Sequence, residues 1–204
     1  MIGVIDYGMS NLASLSNALL FINVPFEVTD SPPSLKKYDK LILPGVGAFG
    51  LAMKRLNESG FSDAVLEEVC VKGKKILGIC LGMQLLYEKS SEHGQHKGLG
   101  LIKGSVEYLG EKVSLPVPHV GWNSVFSPRE TNLLRASEAE DYCFYFVHSF
   151  YCQAKKSGIV SGVVEYGGFK FDAVVEDVNV MATQFHPEKS QKNGLELLKK
   201  FALC

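Results

Sequence analysis

The chain has 204 residues, of which 46% are hydrophobic and 21% charged, with a formal net charge of −1. These values are typical of a globular protein, and we expect one domain over residues 1–204. A chain without a basic excess does not hold nucleic acid or an anionic membrane by charge alone. No apolar run approaches the roughly 18 residues of a membrane helix, and no signal peptide is evident. The five scattered cysteines include no CxxC pair, so we expect a cytoplasmic protein without metal or other cofactor.

Short apolar runs alternate with amphipathic segments in the first half of the chain. The runs predict buried strands over residues 1–6, 25–28, 40–43 and 74–79. Helical spacing of apolar residues predicts helices from residue 12 to about 22, then over 48–57, 61–71 and 81–87, with Ser10 or Asn11 capping the first. This alternation indicates a parallel sheet with crossover helices. The polar stretch 89–97 is predicted to be a surface loop.

The residue pattern of the chain changes after Gly98. Five β-rich segments follow, over residues 105–108, 142–148, 159–165, 170–175 and 178–184. Gly167-Gly168 lies between two of them and is typical of a hairpin turn. A last helix is predicted near 191–203. We therefore predict an α/β fold in which a central, mostly parallel sheet is flanked by helices and the second half adds antiparallel strands.

Cys80 lies in the most informative stretch, Gly78-Ile79-Cys80-Leu81-Gly82, between a predicted strand and a predicted helix. Glycines two positions either side of a nucleophile are the pattern of a nucleophile elbow. The helix that follows would direct its N-terminal N–H groups toward the sulfur, which favours the thiolate, and the N–H of Leu81 would face a developing oxyanion. A buried inert thiol is the alternative, and the segment alone leaves the two equally favoured.

A thiol nucleophile needs a base, and the base needs an orienting group. His186-Pro187-Glu188 follows the last predicted strand, and residues two apart on an extended chain point the same way. Glu188 would then hold the imidazole of His186 so that its other nitrogen faces Cys80. Cys80 and His186 would lie close together, because parallel-sheet enzymes gather such residues at the carboxyl ends of strands. The rival base is His148, after an aromatic strand. The other three histidines are interpreted as structural or as solvated loop residues: His119, His93 and His96.

A glycine-rich loop, residues 44–50, follows the third predicted strand. Glycine on either side of Val46 allows unusual backbone dihedrals at low cost, and such a loop can present N–H groups to an anion. It lacks the Lys-Ser/Thr ending of a nucleotide-binding P-loop. A plain strand-to-helix turn is the alternative to a second oxyanion donor.

The segments Gly78-Ile79-Cys80-Leu81-Gly82-Met83-Gln84 and Gln184-Phe185-His186-Pro187-Glu188-Lys189-Ser190 resemble the two signatures of class I, triad-type glutamine amidotransferases. Four further segments are similar to the glutaminase subunits of imidazole glycerol phosphate synthase, and with the first two they run from near residue 2 to near residue 190. They are Asp6–Leu12, Pro44–Phe49, His119–Asn123 and Tyr145–Phe150.

The resemblance implies a flavodoxin-like fold, hydrolysis of L-glutamine by a triad of Cys80, His186 and Glu188, and no role for His148 as the base. It implies an oxyanion hole at Leu81 and Val46, the latter after the Gly45–Val46 peptide reorients. It also implies further sites, namely substrate contacts at Gly47, Gln84, Ser149 and Phe150, and a partner interface at Asn11, Trp122, Tyr145 and Lys189.

The implied partner is a (β/α)₈-barrel cyclase of histidine biosynthesis, which would form a heterodimer with this chain and receive the ammonia. Ser10 departs from the family pattern, which more often has a second glycine there, and Val120 stands where methionine is more common. These departures leave open a paralogous glutaminase that serves surface-sugar amination. A binding module with a vestigial elbow and a stand-alone cysteine hydrolase are the remaining alternatives.

Overall fold

The computed structural model describes residues 1–136 and 142–204. Thirteen strands are numbered in chain order: β1 Ile2–Ile5, β2 Phe26–Thr29, β3 Lys40–Leu43, β4 Lys75–Ile79, β5 Tyr87–Ser90, β6 His96–Lys97, β7 Ile102–Tyr108, β8 His119–Phe126, β9 Cys143–His148, β10 Phe150–Ala154, β11 Val160–Tyr166, β12 Phe169–Asp177 and β13 Val180–Thr183. The α-helices are α1 Leu12–Phe21, α2 Phe49–Ser59, α3 Phe61–Leu66, α4 Leu81–Leu86 and α5 Gln191–Leu203. Among the described helices, we find none that is both long enough and apolar enough to cross a bilayer.

Five parallel strands in the order β2-β1-β3-β4-β13 form the centre of the sheet. Strands β1 and β13 are buried along their whole length, as expected where helices cover both faces of a parallel sheet. Side chains of α1 and α5 pack on one face with Val4, and those of α2 and α3 pack on the other with Ile5. The predicted parallel core with flanking helices is therefore confirmed.

Antiparallel strands extend this core beyond β13 through β12, β10 and β7, while β11, β8 and β9 form a branch from β12. The Gly167-Gly168 turn joins β11 to β12 as predicted, and both glycines have positive φ. In this antiparallel part, two strands were not predicted, β8 and β10. Strand β8 carries polar residues and Gly121 that weaken its strand pattern, and β10 is separated from β9 by Ser149 alone. The predicted start of the last strand at Val178 is wrong, because Val178 has a φ of 56° and lies in the preceding turn.

The predicted surface loop over residues 89–97 is wrong in part. The helix α4 ends at Leu86, and the chain then forms β5 and β6, which pair with each other at the sheet edge. The ring of His96 packs over Gly50, where a Cβ atom would lie 2.6 Å from His96 Cε1. Short polar strands carry no clear periodicity, so this edge was not evident from residue pattern alone.

The carboxyl ends of three neighbouring parallel strands determine where the site forms. Leu43 of β3 is in register with Gly78 of β4, and Ile79 of β4 with Thr183 of β13. The glycine loop, Cys80 and the segment that begins at Gln184 all leave the sheet at this edge. Side chains that are far apart in sequence therefore meet here.

Candidate active site

Cys80 occupies a sharp turn between β4 and α4, with φ 53° and ψ −108°. A non-glycine residue with positive φ is strained, and such strain concentrates at functional sites. The turn needs both flanking glycines: a Cβ atom at Gly82 would overlap the carbonyl oxygen of Leu43, and one at Gly78 would lie 2.8 Å from the oxygen of Gly82. The N–H of Cys80 donates to Thr183 O at 2.8 Å, which ties the turn to β13. The predicted elbow geometry is present.

His186 and Glu188 form a buried pair beside Cys80. Nδ1 of His186 lies 2.7 Å from Glu188 Oε1, and each side chain is only 4% exposed. Burial would lower the pKa of His186, but the Cys80 thiol and the Glu188 carboxylate outweigh burial and raise the pKa above its ordinary value. Among the described residues, Nε2 of His186 has no hydrogen-bond partner, so this atom is available for proton transfer.

The backbone route to this pair differs from the expected extended segment. Residues Pro187–Lys189 form a short 3₁₀ turn, so Glu188 reaches His186 across a turn rather than along a strand. Ser190 fastens the turn: its hydroxyl donates to His186 O at 2.6 Å and accepts from the N–H of Tyr145 at 3.0 Å. The contact was predicted, but its local conformation was not.

A cleft of about 360 Å³ opens beside Cys80. Eight of the nine residues predicted for the triad, the oxyanion hole and substrate binding line it, and they are Val46, Gly47, Cys80, Leu81, Gln84, Ser149, Phe150 and His186. Gln84 is 5% exposed, and its Nε2 donates to Phe150 O at 3.1 Å. Leu81 begins α4, so its N–H belongs to the first helical turn, which has no acceptor within the helix. The cleft therefore combines a thiol, an imidazole and amide groups suited to a small polar substrate.

Glu92 also lines the cleft, and sequence reasoning missed it because it lies in the stretch interpreted as a solvated loop. Its Oε2 accepts a 2.6 Å hydrogen bond from the N–H of Phe49, the first residue of α2. A carboxylate held at this position adds an acidic group to the cleft that Cys80 also lines. The sequence signal that could have identified Glu92 is an acidic residue a few positions after α4.

The Gly45–Val46 peptide does not direct its N–H toward Cys80. The N–H of Val46 donates instead to Met9 O at 2.9 Å. Gly45 has no room for a side chain, since a Cβ atom would lie 2.5 Å from the hydroxyl of Tyr7 and 3.0 Å from Leu81 Cβ. In this conformation the N–H of Val46 is bonded away from Cys80, whereas the N–H of Leu81 lies in the first turn of α4.

His148 does not have the contacts of a base for Cys80. Its Nδ1 lies 2.8 Å from Phe150 O, and its Nε2 lies 3.0 Å from Nδ1 of His119. Both ring nitrogens are therefore occupied, and burial lowers the pKa of His148 to about 3. This leaves His186 as the histidine placed to act on the thiol.

Three of the four predicted partner-interface residues form one cluster near the cleft. The Trp122 side chain is 47% exposed, and its ring centroid lies 6.1 Å from that of Tyr145. Lys189 Nζ lies 5.9 Å from the centroid of the Tyr145 ring. The fourth, Asn11, accepts from the N–H of Ser14 at the start of α1 and lines a small hollow with Val46 and Glu188.

Comparison with known proteins agrees with this architecture. A sequence model described as glutamine amidotransferase class-I matches residues 3–203. Imidazole glycerol phosphate synthase subunit HisH of Sulfurimonas denitrificans is 47% identical over 206 residues, covering 98% of this chain and 97% of that protein. The proteins of the same name from Aquifex aeolicus and Chlorobaculum tepidum are 45% and 41% identical, covering 97% and 99% of this chain and 94% and 99% of their own.

Solved structures show the same fold at lower identity. A crystal structure of a glutamine amidotransferase superposes with a TM-score of 0.72 at 20% identity, covering 98% of this chain and 96% of that one. A chain of the PurLQS structure from Thermotoga maritima gives a TM-score of 0.71 at 20% identity, with the same coverage. With the family match and the curated relatives, the chain belongs to the class-I glutamine amidotransferase family, within the group of HisH subunits of imidazole glycerol phosphate synthase.

Proposed function

We propose that this chain hydrolyses L-glutamine to glutamate and ammonia and passes the ammonia to a (β/α)₈-barrel cyclase, which makes imidazole glycerol phosphate and AICAR in histidine biosynthesis. One observation supports the chemistry above all: a buried His186, held by Glu188 at 2.7 Å, lies beside the strained Cys80 in a cleft. A nucleophile, a base and an orienting carboxylate are the parts of a triad.

The proposed reaction uses this triad in two steps. The Cys80 thiolate attacks the side-chain carboxamide carbon of glutamine and forms a tetrahedral oxyanion. The C–N bond then breaks, and protonated His186 gives its proton to the departing ammonia. Water that loses a proton to His186 hydrolyses the resulting thioester to glutamate and regenerates Cys80. The raised pKa of His186 favours the imidazolium that the first step requires.

The cleft supplies a carboxylate and amide groups for the amino-acid end of glutamine. We assign Glu92 to the α-ammonium group, because it is the acidic side chain that lines the described cleft. Gln84, Gly47, Ser149 and Phe150 line the rest of the cleft and would surround the remaining polar atoms of the substrate. Charge-assisted hydrogen bonds of this kind are about twice as strong as neutral ones, so Glu92 would select for an α-amino acid.

The orientation of the Gly45–Val46 peptide would make the rate of glutamine hydrolysis depend on a partner. Loss of one oxyanion donor typically costs about 10²–10³ in kcat. With Val46 N–H bound to Met9 O, the proposed oxyanion hole keeps its Leu81 donor and lacks its Val46 donor. A partner that rotates this peptide would supply the second donor and switch on glutamine hydrolysis only when ammonia can be used.

The proposed docking surface is the exposed face of the β8–β9 strand pair, next to the cleft. Val120 faces Val147 across the two strands, and Trp122 faces Tyr145. Val120 is 55% exposed, an unusual state for neighbouring apolar residues unless another protein covers them. Lys189 and Asn11 would lie at the rim of the same interface. The relatives named above are HisH subunits, which favours the cyclase of histidine biosynthesis over one of surface-sugar amination.

Turnover of the two-subunit complex tests the proposal. The chain is co-purified with a candidate histidine-pathway cyclase, and product formation is measured with glutamine or with ammonium as nitrogen donor. Wild type should use both donors, and Cys80→Ala should use only ammonium. Glutamine use by Cys80→Ala would remove Cys80 from its proposed role. A wild-type complex that uses ammonium but not glutamine, while a surface-sugar cyclase restores glutamine use, would favour the paralogous function.

A further inference from the structure

A row of hydrogen bonds runs from Asn123 through His119 and His148 to the backbone of Phe150, at the wall of the cleft. Asn123 Nδ2 lies 3.3 Å from His119 Nε2, and His119 Nδ1 lies 3.0 Å from His148 Nε2. His148 Nδ1 lies 2.8 Å from the carbonyl oxygen of Phe150. His119 and His148 are a directly paired couple on β8 and β9, so the row crosses from one strand to the other. None of the three side chains takes part in the proposed chemical steps.

The groups at the two ends of this row determine which atom donates and which accepts in each hydrogen bond. The Phe150 carbonyl only accepts, so Nδ1 of His148 carries the hydrogen and its Nε2, bare in the neutral ring, accepts from His119. His119 Nε2 then lacks a hydrogen and accepts from Asn123. The amide of Asn123 is fixed in the matching orientation, since its Oδ1 accepts from the N–H of Ser124 at 2.8 Å and its Nδ2 also donates to Glu165 O at 2.9 Å.

The assigned donors and acceptors require both histidines to be neutral, and their surroundings favour the neutral form. His119 is 3% exposed and lies between two aromatic rings, with its centroid 4.8 Å from that of Phe146 and 4.2 Å from that of Tyr166. Burial lowers the pKa of His119 to about 4 and the pKa of His148 to about 3. At neutral pH each ring therefore has one donor and one acceptor nitrogen, and all four are used.

The row ends on the oxygen that also holds Gln84. Phe150 O accepts from His148 Nδ1 and from Gln84 Nε2, which lies 3.1 Å away. The chain changes direction here, because β9 pairs with β8 whereas β10 pairs with β7 and β12, and Ser149 alone separates β9 from β10. Ser149 alone does little to fix the conformation of the backbone between β9 and β10. The bond from His148 supplies an anchor at a wall of the substrate cleft.

We propose that Asn123, His119 and His148 are positioning residues that hold the Ser149–Phe150 turn, and with it Gln84, in the shape that binds glutamine. The inference rests on the proposed function, because it concerns the substrate cleft of the same reaction. We expect the row to affect glutamine binding rather than the chemical step, since none of its hydrogen bonds involves a triad side chain.

Two substitutions at His119 separate positioning from packing. His119→Phe keeps a ring between Phe146 and Tyr166 but has no donor for His148. His119→Asn loses the ring but offers an amide N–H in place of Nδ1. In the cyclase complex, His119→Phe should raise KM for glutamine about 10-fold, or ~1.4 kcal/mol, with kcat within about threefold and ammonium-dependent turnover unchanged. His119→Asn should have a KM closer to wild type, although thermal unfolding should show it to be the less stable of the two.

A KM order that follows the order of stability would overturn the inference, because packing alone would then explain both variants. So would a wild-type KM in His119→Phe. If His119→Phe does not fold, Asn123→Ala decides, since it leaves both rings in place and removes the first donor of the row: a KM about threefold higher supports the inference, and an unchanged KM overturns it. Absence of glutamine turnover in the wild-type complex would instead mean that the proposed function fails.

Discussion

The backbone N–H of Val46 donates a 2.9 Å hydrogen bond to the carbonyl oxygen of Met9, and so points away from Cys80. In the proposed mechanism, this bond leaves the oxyanion hole without its second donor. The isolated chain should therefore hydrolyse glutamine slowly, and the cyclase complex should be at least about 10²-fold faster, the typical value of one oxyanion donor. Glutamate release with and without the cyclase measures this directly. Equal rates would show that the second donor is not limiting.

Glu92 should determine selectivity for the α-ammonium group of the substrate. Glu92→Gln keeps an acceptor for the N–H of Phe49 but removes the charge, so KM for glutamine should rise about 10- to 100-fold, as expected for a lost charge-assisted bond. A glutamine analogue without the α-amino group is the control. Its KM should be equal in wild type and Glu92→Gln, whereas an equal rise for both substrates would indicate a general distortion of the cleft.

Gly82 is required by the geometry of the elbow. A Cβ atom there would overlap Leu43 O, a backbone atom that cannot move without displacing β3. Gly82→Ala should lower the free energy of unfolding by about 3 kcal/mol or more. The matched control is Gly158→Ala, where a Cβ atom has no neighbour within 4 Å and the change should be within about 0.5 kcal/mol. Chemical denaturation of both variants compares them, and similar midpoints would contradict the steric account.

Asp172 should make stability depend on pH. Burial raises the pKa of this carboxyl to about 6 in the folded protein, against 3.8 as the ordinary value, although the N–H of Ala154 donates to it at 2.7 Å. The folded state then binds more protons than the unfolded state between these pH values, so stability falls as the pH rises through this range.

Asp172→Asn removes the cost of that buried charge. Since the side chain is partly exposed, we expect a gain of ~1–2 kcal/mol in the free energy of unfolding at pH 8 and almost none at pH 4. Urea denaturation of wild type and variant at the two pH values measures the difference, with exposed Glu165→Gln as a control that should show no such gain. A gain of equal size at both pH values would mean that the ionisation of Asp172 is not its source.

The parallel half of the fold was predictable because its strands are continuous apolar runs and its helices repeat with helical spacing. Cys80 and His186 were predictable because glycine spacing and strand ends restrict where a side chain can go. Glu92 was not, since local polarity indicates solvent, whereas its carboxylate is held in the cleft by a backbone N–H of α2. The pairing of His119 with His148 depends on the register of two strands 29 residues apart, which no local pattern encodes. The direction of the Val46 N–H likewise has no signal beyond its flanking glycines.

Covalent capture of Cys80 tests the central claim most directly. A glutamine analogue with a diazoketone in place of the carboxamide is incubated with the cyclase complex, and the adduct is located by peptide mass spectrometry. The account predicts one adduct per chain, on the peptide that contains Cys80, slowed by excess glutamine and absent in Cys80→Ser. An adduct on another of the five cysteines, or labelling that glutamine does not slow, would contradict it.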